Sequence, residues 1–426
     1  MPKNRRKKNK SIILPIILLI MIILLCFIYY KKINHDEEII INEKKTIEKI
    51  KKHYNEYVKT NKESIIYDKE ENNIGKISKD VELTLDDITI DKDTQYFKIK
   101  DFENTYIKYN DVDKIESLKE KNNRYKNYIP FNLNIKTKDT TSFYDEDNNL
   151  KYSLKKAYDV PVIVKDTDRY GVEFNNELLY VKKDDVKETY ENHNTDKHNA
   201  SGIGVLNYHA FYDENNATEK ASCNSAICHS KAQFKTHLDY FKNHNMLTLQ
   251  MKEVEMYVDK KIQLPKSVLI TIDDGGLTTH AINMLTEYKM YATIFLVTSW
   301  YDPKDYPVTK YIELHSHSHH MHETGVCPTG QGGGIQCLSE EEIQKDLKIS
   351  REKLNNTTYF CYPFYEYNDY SIKMLKQAGF TMAFDGEKSY GDNLVHPGDD
   401  KFRLKRFVIV TYTTLNDFDK YFGQIH

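Results

Sequence analysis

Between Ser11 and Tyr30 the chain reads SIILPIILLIMIILLCFIYY, an uninterrupted stretch without a charge. At about 1.5 Å of rise per residue, a helix over this stretch spans a hydrocarbon core of about 30 Å. In that medium every backbone amide must be satisfied within the segment, so a helix is the one structure open to it. Lys3, Arg5, Arg6, Lys7, Lys8 and Lys10 stand before the run, and only Lys31 and Lys32 follow closely. The charge bias keeps the short end in the cytoplasm and sends the long end outside. A cleaved signal would have a shorter apolar core and a small-x-small site. The expectation is therefore a cytoplasmic basic tip (1–10), a transmembrane anchor (11–30) and a single-pass protein of the cell membrane whose bulk is extracellular. Cys26 sits in this span behind Leu24 and Leu25, where a lipidated cysteine would follow small residues, and is read as a membrane-embedded thiol.

An extracellular location bears on the other cysteines. Cys223 and Cys228 are near neighbours, as are Cys327 and Cys337, so two local disulfides are expected with Cys361 buried and free. A zinc site made by the two pairs is the alternative, although the spacing is unlike a short CxxC knuckle. The 426 residues suffice for two or three domains. Their 61 basic and 64 acidic side chains leave a net charge of −3, which excludes binding to nucleic acid through bulk positive charge.

Beyond the anchor, residues 31–73 are rich in Lys and Glu with Ile39, Ile40, Ile47, Ile50 and Val58 at helical spacings, which predicts a juxtamembrane helix or stalk. Period-two runs such as Val81–Leu85 and Tyr96–Ile99 predict a small β module over 74–130. A clearer β stretch over 131–190 contains Arg169-Tyr-Gly-Val-Glu-Phe174 and Tyr180-Val-Lys-Lys183. It resembles bacterial SH3-like wall-associated domains, which would make it a wall-binding module; a plain β spacer is the alternative. A polar linker is expected over 191–201. From 202 to 426 strands alternate with helices: 266–272, 291–297 and 312–314 read as strands. Ser339 opens a capped helix running to Leu354, and a second helix over Ser371–Ala378 stops at Gly379. Alternation of this kind implies a parallel α/β sheet or barrel, with chemistry at the carboxyl ends of its strands.

One such end reads Thr271-Ile-Asp273-Asp274-Gly275-Gly276. Adjacent carboxylates behind a buried strand repel unless a proton or cation is shared between them. The strand ending at Leu314 runs into His315-Ser-His317-Ser-His319-His320-Met-His322, five of the sixteen histidines in eight residues. Two imidazoles and a carboxylate with an open fourth position form a catalytic zinc set.

These motifs, with Tyr362-Pro363-Phe364, resemble in order those of the polysaccharide deacetylases, the NodB-like carbohydrate esterases, and most closely the branch containing poly-N-acetylglucosamine deacetylases. The resemblance covers about residues 203–412. It implies a distorted (β/α) barrel and hydrolysis of N-acetyl groups in a glycan, with zinc or another divalent transition metal as cofactor. Carried over, Asp273 is the general base, Asp274 a metal ligand and His317 the first histidine ligand. The branch's spacing of five gives His322 as the second; the commoner spacing of four would fall on Met321, while His315 and His319 form a competing pair at that spacing. The third motif lacks its arginine in Phe360-Cys361-Tyr362-Pro363, and the late Leu-x-His motif is absent. Instead Val205-Leu-Asn-Tyr-His209 places an early histidine, so His209 is the expected general acid, with His396 a distant substitute. In the expected mechanism a backbone N–H following Pro363, that of Phe364, stabilises the oxyanion together with the metal. Tyr362, Phe364, Tyr365, Tyr367 and Trp300 are candidate sugar-stacking walls.

The whole predicts a membrane-anchored deacetylase acting on N-acetylglucosamine in cell-wall peptidoglycan. Poly-β-1,6-N-acetylglucosamine is the alternative substrate, and a barrel that grips wall glycan without catalysis is the alternative of another class.

Overall fold

The computed structural model describes all residues except 1–12, 55, 92–93, 101, 103, 193–198, 387–391 and 423–426. The basic tip and most of the linker expected over 191–201 thus lie outside the described residues. The chain divides into two compact units, Met1–Lys121 with Asp139–Ala157, and Asn122–Lys138 with Tyr158–His426. The β stretch of 131–190 falls across both.

The first unit begins with a helix, Ile13–His53, long and apolar enough over its first half to cross a membrane. Where a helical stalk to residue 73 is expected, the helix stops at His53 and strands begin at Tyr57. The reason is visible in Tyr57–Thr60 and Ser64–Tyr67, where alternate side chains, among them Val58 and Ile66, are fully buried. That period of two suits a strand with one covered face and cannot be met by a helix. The remaining strands of this unit form an antiparallel sheet in which Glu82–Asp91 pairs with Tyr57–Thr60 on one side and Thr94–Ile99 on the other.

In the second unit an antiparallel hairpin and a three-stranded antiparallel sheet precede the α/β part. Arg169–Phe174 and Glu177–Lys182 form a hairpin, and Asn134–Thr137 lies between Asp159–Pro161 and Val186–Tyr190. The α/β part is built on parallel strands in the order Met382–Phe384, Tyr359–Cys361, Ile312–Ser316, Ala292–Leu296, Ser267–Ile272, Gly204–Tyr208, Phe407–Val408. Ser267–Ile272 is buried at every position, as expected of a strand covered on both faces by helices. The sheet curls. Leu404 bridges Phe384 at one edge while Phe407 pairs with Leu206 at the other, so residues 404–408 span the opening and their side chains can reach the interior.

Candidate active site

Asp273 and Asp274 follow the strand Ser267–Ile272. Asp273 keeps an extended approach, its N–H donating to the Tyr208 carbonyl (2.9 Å), whereas Asp274 turns into the left-handed region at φ 68°. The two carboxylates therefore point different ways although they are adjacent. Gly275 continues the turn at φ 105°, and a Cβ there would lie 2.2 Å from Leu296 and 2.6 Å from the Tyr306 hydroxyl, so only glycine fits.

The histidine run is shaped by a residue the sequence did not single out. Asp346, on the helix Glu340–Lys353, accepts the backbone N–H of His319 (2.7 Å) and of His320 (2.6 Å). That helix is fixed by a capping box between Ser339 and Glu342. With Ser318 at φ 74°, the chain doubles back, Met321 is buried in the core, and His322 returns to lie beside His317. The spacing of five follows from this loop. His315 is instead buried against Tyr359 and paired through Nδ1 with Thr357 Oγ1, and His319 pairs with Thr298 Oγ1. Neither of these joins the carboxylates.

Asp274 Oδ1 lies 3.5 Å from His317 Nε2 and 3.3 Å from His322 Nε2. Bonds of about 2.1 Å in a tetrahedral shell put neighbouring ligand atoms about 3.4 Å apart, so the spacing fits one ion. His317 Nδ1 is bonded to the Cys361 carbonyl (2.9 Å), which leaves Nε2 with its lone pair toward the site. Asp274 Oδ1 is buried without a hydrogen-bond partner among the described residues. Burial raises the Asp274 carboxyl to about 6 and depresses the His317 imidazole to about 3. A buried acceptor with no donor, facing two imidazoles kept neutral, is the donor set of a cation. Asp273, His317 and Cys361 also approach one another. That second cluster suits no cation, because the Arg406 guanidinium already stands 2.9 Å from Cys361 Sγ.

Arg406 is the second functional residue missed in the sequence. It is completely buried and clasps Asp273 with both prongs, Nη1 to Oδ1 at 2.7 Å and Nη2 to Oδ2 at 2.8 Å. Thr271 Oγ1 (3.1 Å), the Asp385 carbonyl (2.8 Å) and Cys361 Sγ (2.9 Å) take its remaining donors. Burial alone would raise the Asp273 carboxyl, but Arg406 holds it well below the usual carboxylate range. The arginine absent before Pro363 is thus matched by one arriving from the closing segment 404–408.

His209 follows the strand Gly204–Tyr208. Its Nε2 lies 3.4 Å from the Tyr365 hydroxyl, which itself donates to Asn207 Oδ1 (2.7 Å), and its buried Nδ1 has no partner among the described residues. Burial lowers its pKa against the opposing pull of Asp273 and Asp274. Pro363 opens a single tight turn with Phe364 and Tyr365 both in the left-handed region. The first N–H groups of such a turn have no partner within it.

A cavity of about 260 Å³ joins His209, Asp273, Asp274, His317, His322, Phe364 and Tyr365. Of the expected aromatic walls, Phe364 and Tyr365 line it, and Trp300 is half exposed, 5.1 Å from the His322 ring. Tyr362 does not: it is fully buried, its hydroxyl donates to the Phe402 carbonyl (3.1 Å), and it stacks on Tyr367. Pro363 is buried beside it. His396 is bound to Asp392 and the Ser201 carbonyl and does not line the cavity. Cys223–Cys228 and Cys327–Cys337 are disulfides, and Cys361 is free and buried.

Residues 260–383 match the family profile described as polysaccharide deacetylase. A poly-beta-1,6-N-acetyl-D-glucosamine N-deacetylase of Staphylococcus aureus is 28% identical over 202 residues, covering 42% of this chain and 67% of that protein. The enzyme of the same name from Staphylococcus epidermidis is 25% identical over 198 residues, covering 42% and 66%. Among solved structures, a de-N-acetylase from Aggregatibacter actinomycetemcomitans aligns over 51% of this chain and 99% of its own at 18% identity and a TM-score of 0.42.

Proposed function

We propose that this chain, whose residues 260–383 match the polysaccharide deacetylase profile, releases acetate from N-acetylglucosamine units of an extracellular polymer. Asp274, His317 and His322 hold a divalent transition metal, zinc first among them. The observation that carries this reading is the convergence of these three ligand atoms in one cavity with Asp273 and His209.

An acetamide is a poor electrophile and water a poor nucleophile; the bound metal supplies Lewis acidity to the first and acidity to the second at neutral pH. Asp273 takes the proton of the attacking water. Both its oxygens contact Arg406 and Oδ2 also accepts from Cys361 Sγ (3.4 Å), yet Oδ1 keeps a second lone pair, so the ion pair orients the base without consuming it. The N–H of Phe364 donates to the oxyanion as charge develops there. His209, which lines the same cavity, protonates the departing amine.

The names of the staphylococcal relatives favour a β-1,6-linked polymer. Peptidoglycan is favoured by reading 131–190 as an SH3-like wall module and the N-terminal helix as a single-pass anchor that keeps the domain at the wall. The test is acetate release by zinc-loaded protein from β-1,6-linked N-acetylglucosamine oligomers and from purified peptidoglycan, with and without chelator. Release from one polymer, lost with chelator and in Asp273→Asn, is expected. No release from either, while a verified deacetylase acts in parallel, overturns the proposal and leaves a glycan-gripping barrel.

A further inference from the structure

Two loops that the catalytic groups do not account for reach the same cavity, and each is closed by a disulfide. Ile227 stands in the loop Cys223–Cys228 and Gln331 in the loop Cys327–Cys337, and both line the cavity that holds Asp273 and His209. The first loop is tied to the rest of the fold on both sides of Ile227. The Ala226 carbonyl accepts from Thr411 N–H (2.7 Å), and the Ile227 carbonyl from Ala210 N–H, directly after His209.

The second loop is gripped by one carboxylate. Glu366, next to Tyr365, accepts the backbone N–H of Gln331 and of Gly333 (3.2 Å) and the Gln336 side-chain amide (2.9 Å). Gly330 makes this grip possible: it sits at φ 60°, and a Cβ there would fall on the Glu366 carboxylate. The loop also closes on itself, with Gly325 N–H on the Gln331 carbonyl (2.8 Å). Gln331 is thereby fixed through its backbone, while its side-chain amide is exposed and makes no hydrogen bond among the described residues. An amide that both donates and accepts, on a residue whose backbone is fixed at the rim of the cavity, has the chemistry to bind a sugar hydroxyl or acetamido group.

We propose that Gln331 and Ile227 are specificity-determining residues that bind the glycan chain from the two disulfide-closed loops lining the cavity, Gln331 by hydrogen bonding and Ile227 by apolar contact with a sugar face. This deepens the deacetylase reading and rests on it for the identity of the ligand.

The test measures two things on the metal-loaded full chain in detergent: the Kd of a hexameric β-1,6-N-acetylglucosamine oligomer, and kcat/KM for that oligomer relative to a small aryl acetate. One lost hydrogen bond of about 1 kcal/mol corresponds to about fivefold. Gln331→Ala is expected to weaken oligomer binding by about that factor and to lower the ratio equally, through KM rather than kcat. Ile227→Ser should act in the same sense. The double variant Cys327→Ser/Cys337→Ser, which frees the loop without touching Gln331, should also raise KM for the oligomer. Unchanged Kd and ratio in Gln331→Ala, or absence of oligomer binding by the parent protein, overturns the inference. Should the parent bind oligomer but release no acetate, the deacetylase reading fails while the shift in Kd still decides this one.

Discussion

The sharpest consequence of the structure concerns Arg406, which nothing in the motif pattern marks. Substituting Arg406→Met keeps much of the side-chain volume but removes the charge from a pair whose members are both at most 1% exposed. Breaking a buried pair at one end leaves the other charge uncompensated, at a cost of about 3–5 kcal/mol. For a unit of this size that lowers Tm by on the order of 10 °C. Asp273 can escape the cost by taking up a proton, and a protonated base accepts none from water, so kcat should fall about 10²–10⁴-fold. Arg406→Lys separates orientation from charge: a lysine keeps the charge but cannot grip both carboxylate oxygens. It should recover most of the stability and only part of the activity. The assays are a thermal melt and acetate release at saturating oligomer, with metal content measured on the same samples. Arg406→Met with kcat within about threefold of the parent and unchanged Tm would refute the claim that this arginine stands in for the one missing before Pro363.

Further outcomes follow from the same geometry. Asp274→Ala and His322→Ala should each lose most bound zinc on dialysis, measured by elemental analysis, whereas His319→Ala should retain it; metal loss only in His319→Ala would move the ligand set to the competing histidines. Asp346→Ala removes the acceptor of two backbone N–H groups in the histidine loop and should weaken metal affinity by about 10–100-fold, as expected of a group that orients ligands. Tyr365→Phe leaves the buried Asn207 Oδ1 without its donor, at about 1–3 kcal/mol, seen as a lower Tm with metal content unchanged. Gly330→Ala forces a strained φ and a clash with Glu366, and should raise KM for an oligomer more than it lowers kcat.

Much of this molecule is written locally. The uncharged run at 11–30 has the length and composition of a helix able to cross a membrane, and the helix Ile13–His53 covers its described residues. The buried strand before Asp273 and the capped helix after Ser339 follow from side-chain period and from a hydrogen-bond exchange among four consecutive residues. The pairing of Asp274 with His317 and His322 was legible because those residues lie in two short motifs at strand ends. The strands at Tyr57–Thr60 and Ser64–Tyr67 were not, since four-residue runs in a Lys- and Glu-rich segment fit a helical spacing as well as an alternating one, and burial against distant strands decides between them. Tyr362 carries the same lesson at the site: an aromatic in a motif reads as a wall, and only packing shows that it faces the core.

What the sequence by itself determined is the inventory: an apolar helix, an α/β region, two cysteine pairs and a set of side chains with the chemistry to hold a metal. Only the tertiary structure decided which of these meet. Arg406 touches Asp273 across more than a hundred residues of sequence and Gln331 lines one cavity with His209 across as many, and no local pattern encodes such a juxtaposition. The first arises because the sheet curls until residues 404–408 bridge its two edges, which turns the Arg406 side chain inward onto the buried Asp273 carboxylate.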